Sequence, residues 1–212
     1  ILVSLGVWQV QRLAWKEALL QRVARLETAP PVEAADAFRR AGGLPDLDLV
    51  RVRLACPGVS GAAFVELYGL KDGEAGRRLV SACPLGVGDY ATILVDRGFI
   101  PGDQGPRPRV GPAGAGGASE VVTGVLRIPD RTNAFTPKAD PAARLWFSRD
   151  IPAMAAALGA ERPAPVMLMA ESPTNPEFPS LKPSPLPAAI SNRHLEYALT
   201  WFGLAAALAG VY

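Results

Sequence analysis

His194 is the only histidine in this 212-residue chain, and it stands where polar sequence gives way to apolar sequence. From Ala198 to Tyr212 there is no charged residue. A neutral imidazole is a good ligand for iron, copper or zinc. At the mouth of a membrane helix it can meet a cofactor that is itself half apolar. If residues 192–212 are helical, His194, Tyr197, Ala198, Trp201 and Ala205 share one face. That face offers one ligand, two aromatic rings and two alanines that leave room beside them. Arg193 is adjacent, and a guanidinium pairs carboxylates bidentately.

Other chemistries lack their residues. No Cys-x-x-Cys pair or His/Cys cluster exists, which excludes a protein-only zinc site. Gly111–Gly117 is glycine-rich but is not followed by Gly-Lys-Ser/Thr, so it is a loop and not a phosphate cradle. Gly58-Val59-Ser60-Gly61 misses the nucleophile elbow, because the second glycine comes one residue early. Asp150 precedes a short helical segment and reads as its N-cap. Asp140 reads as a solvated loop residue. Cys56 and Cys83 both precede proline. They can pair in an oxidising compartment or stay as buried free thiols; free thiols are the expectation taken here.

The elements that must position these residues fall into three parts, 1–28, 29–191 and 192–212. Ile1–Val7 is apolar, and Gln9–Glu27 continues as a helix that Ala29-Pro30-Pro31 ends. Leu5, Trp8, Arg12 and Trp15 lie at three- and four-residue steps on one face. The middle reads mostly as strand: Leu49–Leu54, Ala63–Tyr68, Leu79–Ser81, Tyr90–Val95, Glu120–Ile128 and Pro165–Ala170. Tyr90–Val95 is almost continuously apolar, as a central strand would be. Ile151–Leu158 is a short helix ended by Gly159, and Pro173–Pro187 is a proline-rich excursion. The expected fold is α+β: a small, mostly antiparallel sheet or barrel with one short helix, flanked by N- and C-terminal helices.

A bilayer-spanning helix needs roughly 20 apolar residues. Ala198–Tyr212 gives fewer, and the start of the chain is equally brief, so both ends read as shortened transmembrane helices. Trp8 and Trp15 at one end, and Tyr197, Trp201 and Phe202 at the other, suit interfacial belts. The alternative is one amphipathic and one buried helix. Composition agrees with a membrane association: 49% of residues are apolar despite 21 Pro and 21 Gly. A net charge of +2 is too small to imply nucleic acid.

Several blocks, spread in order over nearly the whole chain, resemble the surfeit locus protein 1 family. They are Leu5-Gly6-Val7-Trp8-Gln9-Val10-Gln11-Arg12 with Trp15-Lys16; Thr92–Pro101, centred on Asp96-Arg97-Gly98; Gly124-Val125-Leu126-Arg127; Phe135-Thr136-Pro137 and Asp140-Pro141; Trp146–Asp150 running on to Met154; and Asn192–Leu204. The resemblance implies an assembly factor for haem–copper cytochrome c oxidase, not an enzyme. It implies haem a as cofactor, with His194 as axial iron ligand, and subunit I of the oxidase, haem a synthase and membrane lipid as partners. It also implies two membrane helices around a domain that is periplasmic at a bacterial inner membrane, or in the intermembrane space at a mitochondrial one. Tyr197, Trp201 and Trp8 would lie near the macrocycle, and Arg193 and Arg12 near its propionates, with Lys16 at the same mouth. Arg97 is expected to be structural, holding a carboxylate or turn carbonyls. Two further functions fit the same residues: a scaffold that binds no haem, and a permanent accessory subunit of the oxidase.

Overall fold

The computed structural model describes every residue except 72, 103–104, 112–119, 130–131, 134–135, 184–192 and 212. The glycine-rich run, Phe135, Asn192 and the end of the proline-rich excursion therefore lie outside the described residues. The chain divides into two compact units, Pro30–Leu186 and a second made of Ile1–Ala29 with Pro187–Tyr212.

The first unit is built on one mixed sheet. Its strands are β1 (Val32–Glu33), β2 (Val50–Ala55), β3 (Val65–Lys71), β4 (Glu74–Val87), β5 (Tyr90–Pro101), β6 (Val121–Arg127), β7 (Leu145–Trp146) and β8 (Pro163–Ala170). They lie in the order β1-β2-β6-β8-β5-β4-β3-β7. The pairs β1/β2, β5/β8 and β3/β7 are parallel and the others antiparallel. The expected α+β class holds, and most of the pairing is antiparallel as expected, but the sheet is an eight-stranded mixed one. The reason is non-local. β8 comes late in the chain, after the helix α3 (Ile151–Ala157), and enters between β6 and β5.

Side-chain alternation decides the layers. On β5, Ile93 and Val95 point into one core with Cys56, Val52, Leu126, Val166 and Leu168. Leu94 points into the other, with Leu67, Val80, Trp146, Met154 and Met167. The helix α2 (Ala34–Arg40) covers the first core through Ala34 and Ala37, and α3 covers the second through Ile151, Met154 and Ala155. A strand buried on both faces must be apolar without a break, which is why Tyr90–Val95 reads as continuous and does lie centrally. Asp150 caps α3, its Oδ1 accepting from the Ala153 amide at 3.1 Å, as expected. Asp140 is exposed, and its Oδ1 accepts from the Ala143 amide at 3.1 Å.

The two cysteines are joined. Cys56, just after β2, and Cys83, in β4, form a disulfide with Cα atoms 5.2 Å apart. Both are buried in the first core. The free-thiol expectation is therefore corrected: a buried pair whose backbones lie within bridging distance satisfies the geometry a disulfide needs.

The second unit is a pair of helices, α1 (Leu2–Thr28) and α4 (His194–Val211). They run antiparallel. Ile1–Val3 lie beside Ala205–Ala209, Gly6 lies on Phe202, and Gln9 meets His194. The approach is close at Gly6, where an added Cβ would stand 2.6 Å from the Phe202 ring. Among the described residues no helix is long and apolar enough to cross a membrane, and the expectation of flanking transmembrane helices is corrected accordingly. α1 turns polar from Gln9 onward, with Arg12, Lys16 and Glu17 in successive turns. α4 has 18 residues, but His194 and Glu196 occupy its first turn. The apolar remainder reaches about 22 Å at ~1.5 Å per residue, short of a ~30 Å hydrocarbon core.

Candidate functional site

His194 opens α4, half-buried against α1. Its Nδ1 lies 2.7 Å from Oε1 of Gln9, a residue only 9% exposed. With the Gln9 carbonyl oxygen facing the ring, the tautomer that makes this hydrogen bond is the one with its proton on Nδ1. In the neutral ring the lone pair is then on Nε2. An imidazole fixed through one nitrogen with the other available is the usual arrangement of a metal-binding histidine. The site residues therefore fit an iron ligand at His194. Gln9 went unremarked in the sequence. The signal for it is positional: on α1, Gly6, Gln9, Leu13, Lys16 and Leu20 follow helical spacing and are among its buried or half-buried positions.

The other expected site residues are distributed around this pair. Ala198 is buried, and Trp201 and Ala205 are half-buried. The two alanines that appeared to leave room for a ligand therefore belong to the less exposed stripe of α4. Tyr197 is 52% exposed and Trp8 51%, so both rings are available from outside the pair. Arg193 is exposed one residue before the helix. Arg12 is exposed and its guanidinium lies 4.6 Å from the centre of the Trp15 ring, a cation–π contact at a three-residue step. An apolar groove of about 760 Å³, lined by Ile1, Leu2, Val3, Ala205, Leu208 and Ala209, lies between the other ends of the two helices.

The sheet unit has its own polar centre, and Asp96-Arg97-Gly98 explains it. Asp96 is buried and takes Arg78 at 2.5 Å and the Gly98 amide at 3.1 Å. Gly98 has φ +132°, and an added Cβ would stand 2.4 Å from the Lys182 carbonyl, so no other residue fits there without strain. Arg97 is fully buried. It donates to the Ser60 carbonyl at 2.9 Å and the Ala62 carbonyl at 3.4 Å, and to Thr174 and Ser81 hydroxyls at 3.2 and 3.4 Å. Burial pulls its pKa down to about 10, while Glu120 pulls it back up; it remains a cation at neutral pH. Glu120 reaches the same loop from outside, accepting from the Ser60 amide at 3.1 Å and hydroxyl at 2.8 Å. Arg97 thus holds turn carbonyls, as the sequence suggested. Above it lies a cleft of about 800 Å³ lined by Ser60, Arg107, Arg109, Glu120, Asn175 and Phe178, among others. The Ser60 hydroxyl is committed to Glu120.

The chain is similar to known proteins over nearly its whole length. The SURF1 family pattern matches residues 1–206. The chain belongs to the SURF1 family. Surfeit locus protein 1 of Xenopus tropicalis is 30% identical over 96% of this chain and 68% of its own length. That of Takifugu rubripes is 30% identical over 96% of this chain and 88% of its own. The Homo sapiens protein is also 30% identical, over 96% of this chain and 70% of its own. The sheet unit of this SURF1 family member, its α1, and its α4 as far as Ala206 fall inside the matched span, so Gln9, Arg97 and His194 all lie within it.

Proposed function

We propose that this chain binds haem a through His194 and aids its insertion into subunit I of cytochrome c oxidase. Membership of the SURF1 family implies a role in cytochrome c oxidase assembly, and the family is one of assembly factors and not of catalysts. The observation that carries the finer reading is the Gln9–His194 hydrogen bond, which leaves Nε2 as the available nitrogen. Bound haem a supplies an iron centre that accepts an imidazole and that the mature oxidase uses for electron transfer. Arg193 and Arg12 are the cations we assign to its propionates, because guanidinium matches carboxylate geometry. Tyr197, Trp8 and Trp201 are the rings assigned to its faces. One protein–iron bond, not two, suits a carrier that must release its cargo to subunit I after taking it from haem a synthase.

The disulfide supports a location in an oxidising compartment, since buried cysteine pairs persist there and not in a reducing cytosol. That favours the periplasmic side of a bacterial inner membrane, or the equivalent side in a mitochondrion. Exposed Leu195, Leu199, Leu204 and Leu208 on α4 support apolar contact with lipid or subunit I. The same exposure favours, as a second reading, a scaffold or accessory subunit that holds the oxidase and binds no haem.

The test is the visible spectrum of the full-length, detergent-purified protein from cells that make haem a, for wild type and His194→Ala. A haem a band in wild type that disappears in a folded His194→Ala variant is the expected result. A folded wild type without haem, despite haem a supply, would transfer the assignment to the scaffold.

A further inference from the structure

We propose that Gln9 is a positioning residue that fixes the tautomer of His194, holding the proton on Nδ1 and presenting Nε2 as the free lone pair. The part of this that concerns iron rests on the haem reading above; the part that concerns the proton does not.

The argument begins with where Gln9 sits. A glutamine amide is costly to bury unless it is hydrogen-bonded. On α1, Gln9 is buried while Gln11 and Arg12 are exposed. It comes three residues after Gly6, where the absence of a side chain lets α1 approach Phe202 of α4 closely. Gln9 is thus delivered to the start of α4 by the packing of the two helices. Its carbonyl oxygen is 2.7 Å from Nδ1.

A neutral imidazole carries one proton. In water it prefers to carry it on Nε2, which would leave the crowded Nδ1 as the lone pair. The Gln9 carbonyl reverses that preference, because only an Nδ1–H can donate to it. Nε2 then projects away from the backbone as the basic nitrogen. Oriented ligands of this kind depend on the group behind them, and loss of that group typically weakens metal binding about 10–100-fold. An amide differs from the carboxylate often found in this role: it orients the ring without adding negative charge. The ligand is preset but not strongly charged, which agrees with cargo that must leave.

The single histidine makes the test direct. Full-length protein labelled with ¹⁵N-histidine gives one imidazole, read by two-bond ¹H–¹⁵N correlation at mildly alkaline pH. Wild type should show a pyrrole-like Nδ1 and a pyridine-like Nε2. Gln9→Leu should shift the balance toward Nε2–H, and Gln9→Glu should restore Nδ1–H. Far-ultraviolet circular dichroism and the amide spectrum report whether each variant folds. In parallel, haem a is titrated into each protein; Gln9→Leu should bind about 10–100-fold more weakly and Gln9→Glu close to wild type. A pyridine-like Nδ1 in wild type would overturn the proposal, and this needs no variant to fold. So would a folded Gln9→Leu that keeps the wild-type tautomer. Wild type with the expected tautomer but no haem binding would uphold the role of Gln9 and sink the haem reading alone.

Discussion

In the sheet unit, charge that enters the interior arrives with several partners. Arg97 has two carbonyls and two hydroxyls, and Asp96 has a guanidinium and a backbone amide. In the helix pair Gln9 and His194 share a hydrogen bond, while Leu199, Leu204 and Val211 stay exposed. The sheet unit spends its polar groups on its own structure. The helix pair leaves large apolar side chains of α4 exposed, the kind of surface that marks a contact with lipid or another chain.

Mutations can break this contrast. Removing the disulfide should cost most: for a cross-link spanning 27 residues, Cys56→Ala/Cys83→Ala should lower stability by about 3.5 kcal/mol on the loop-entropy relation, read by urea denaturation. Arg97→Met should cost about 3 kcal/mol, because the Ala62 carbonyl loses its Arg97 donor, the Ser60 carbonyl is left with Asn175, and Glu120 loses its counter-charge. Native-state hydrogen exchange should show both losses across the sheet, with β5 and β8 protection falling together. His194→Ala should act locally. It leaves the buried Gln9 oxygen without a donor, at about 1–2 kcal/mol, and exchange should rise in α1 and α4 while β5 is unchanged. Loss of β5 protection in that variant would refute the division of labour. Asp150→Ala removes an N-cap and should cost about 1 kcal/mol, seen as faster exchange at the start of α3 alone.

Much of the architecture was legible where physics is local. β5 announced its double burial by an unbroken apolar run, and α3 by its cap and following glycine. α2 was not legible, since seven residues after two prolines are too few to show a helical period. β7 has two residues and no pattern to read. The strand order was hidden because β8 inserts between strands formed much earlier, and nothing in its own sequence specifies that neighbour. The cysteines gave no sign of pairing, because spacing along the chain says little about distance across a sheet. The transmembrane expectation rested on apolar character in runs already short of a span, and among the described residues no helix is long and apolar enough to cross a membrane. His194 stood out by being alone. Its partner lay 185 residues away, and only the packing of two helices could reveal it.

The place of β8 has a consequence for biosynthesis. Until Pro163–Ala170 leaves the ribosome, no strand can join β1-β2-β6 to β5-β4-β3-β7, and whatever has formed of either ribbon lacks the same edge partner. Unpaired edges invite other chains. Cys56 belongs to one ribbon and Cys83 to the other. An oxidant that acts early ties the ribbons together before their common strand arrives, and a nascent chain cut short of β8 keeps two sticky edges that no later folding can close.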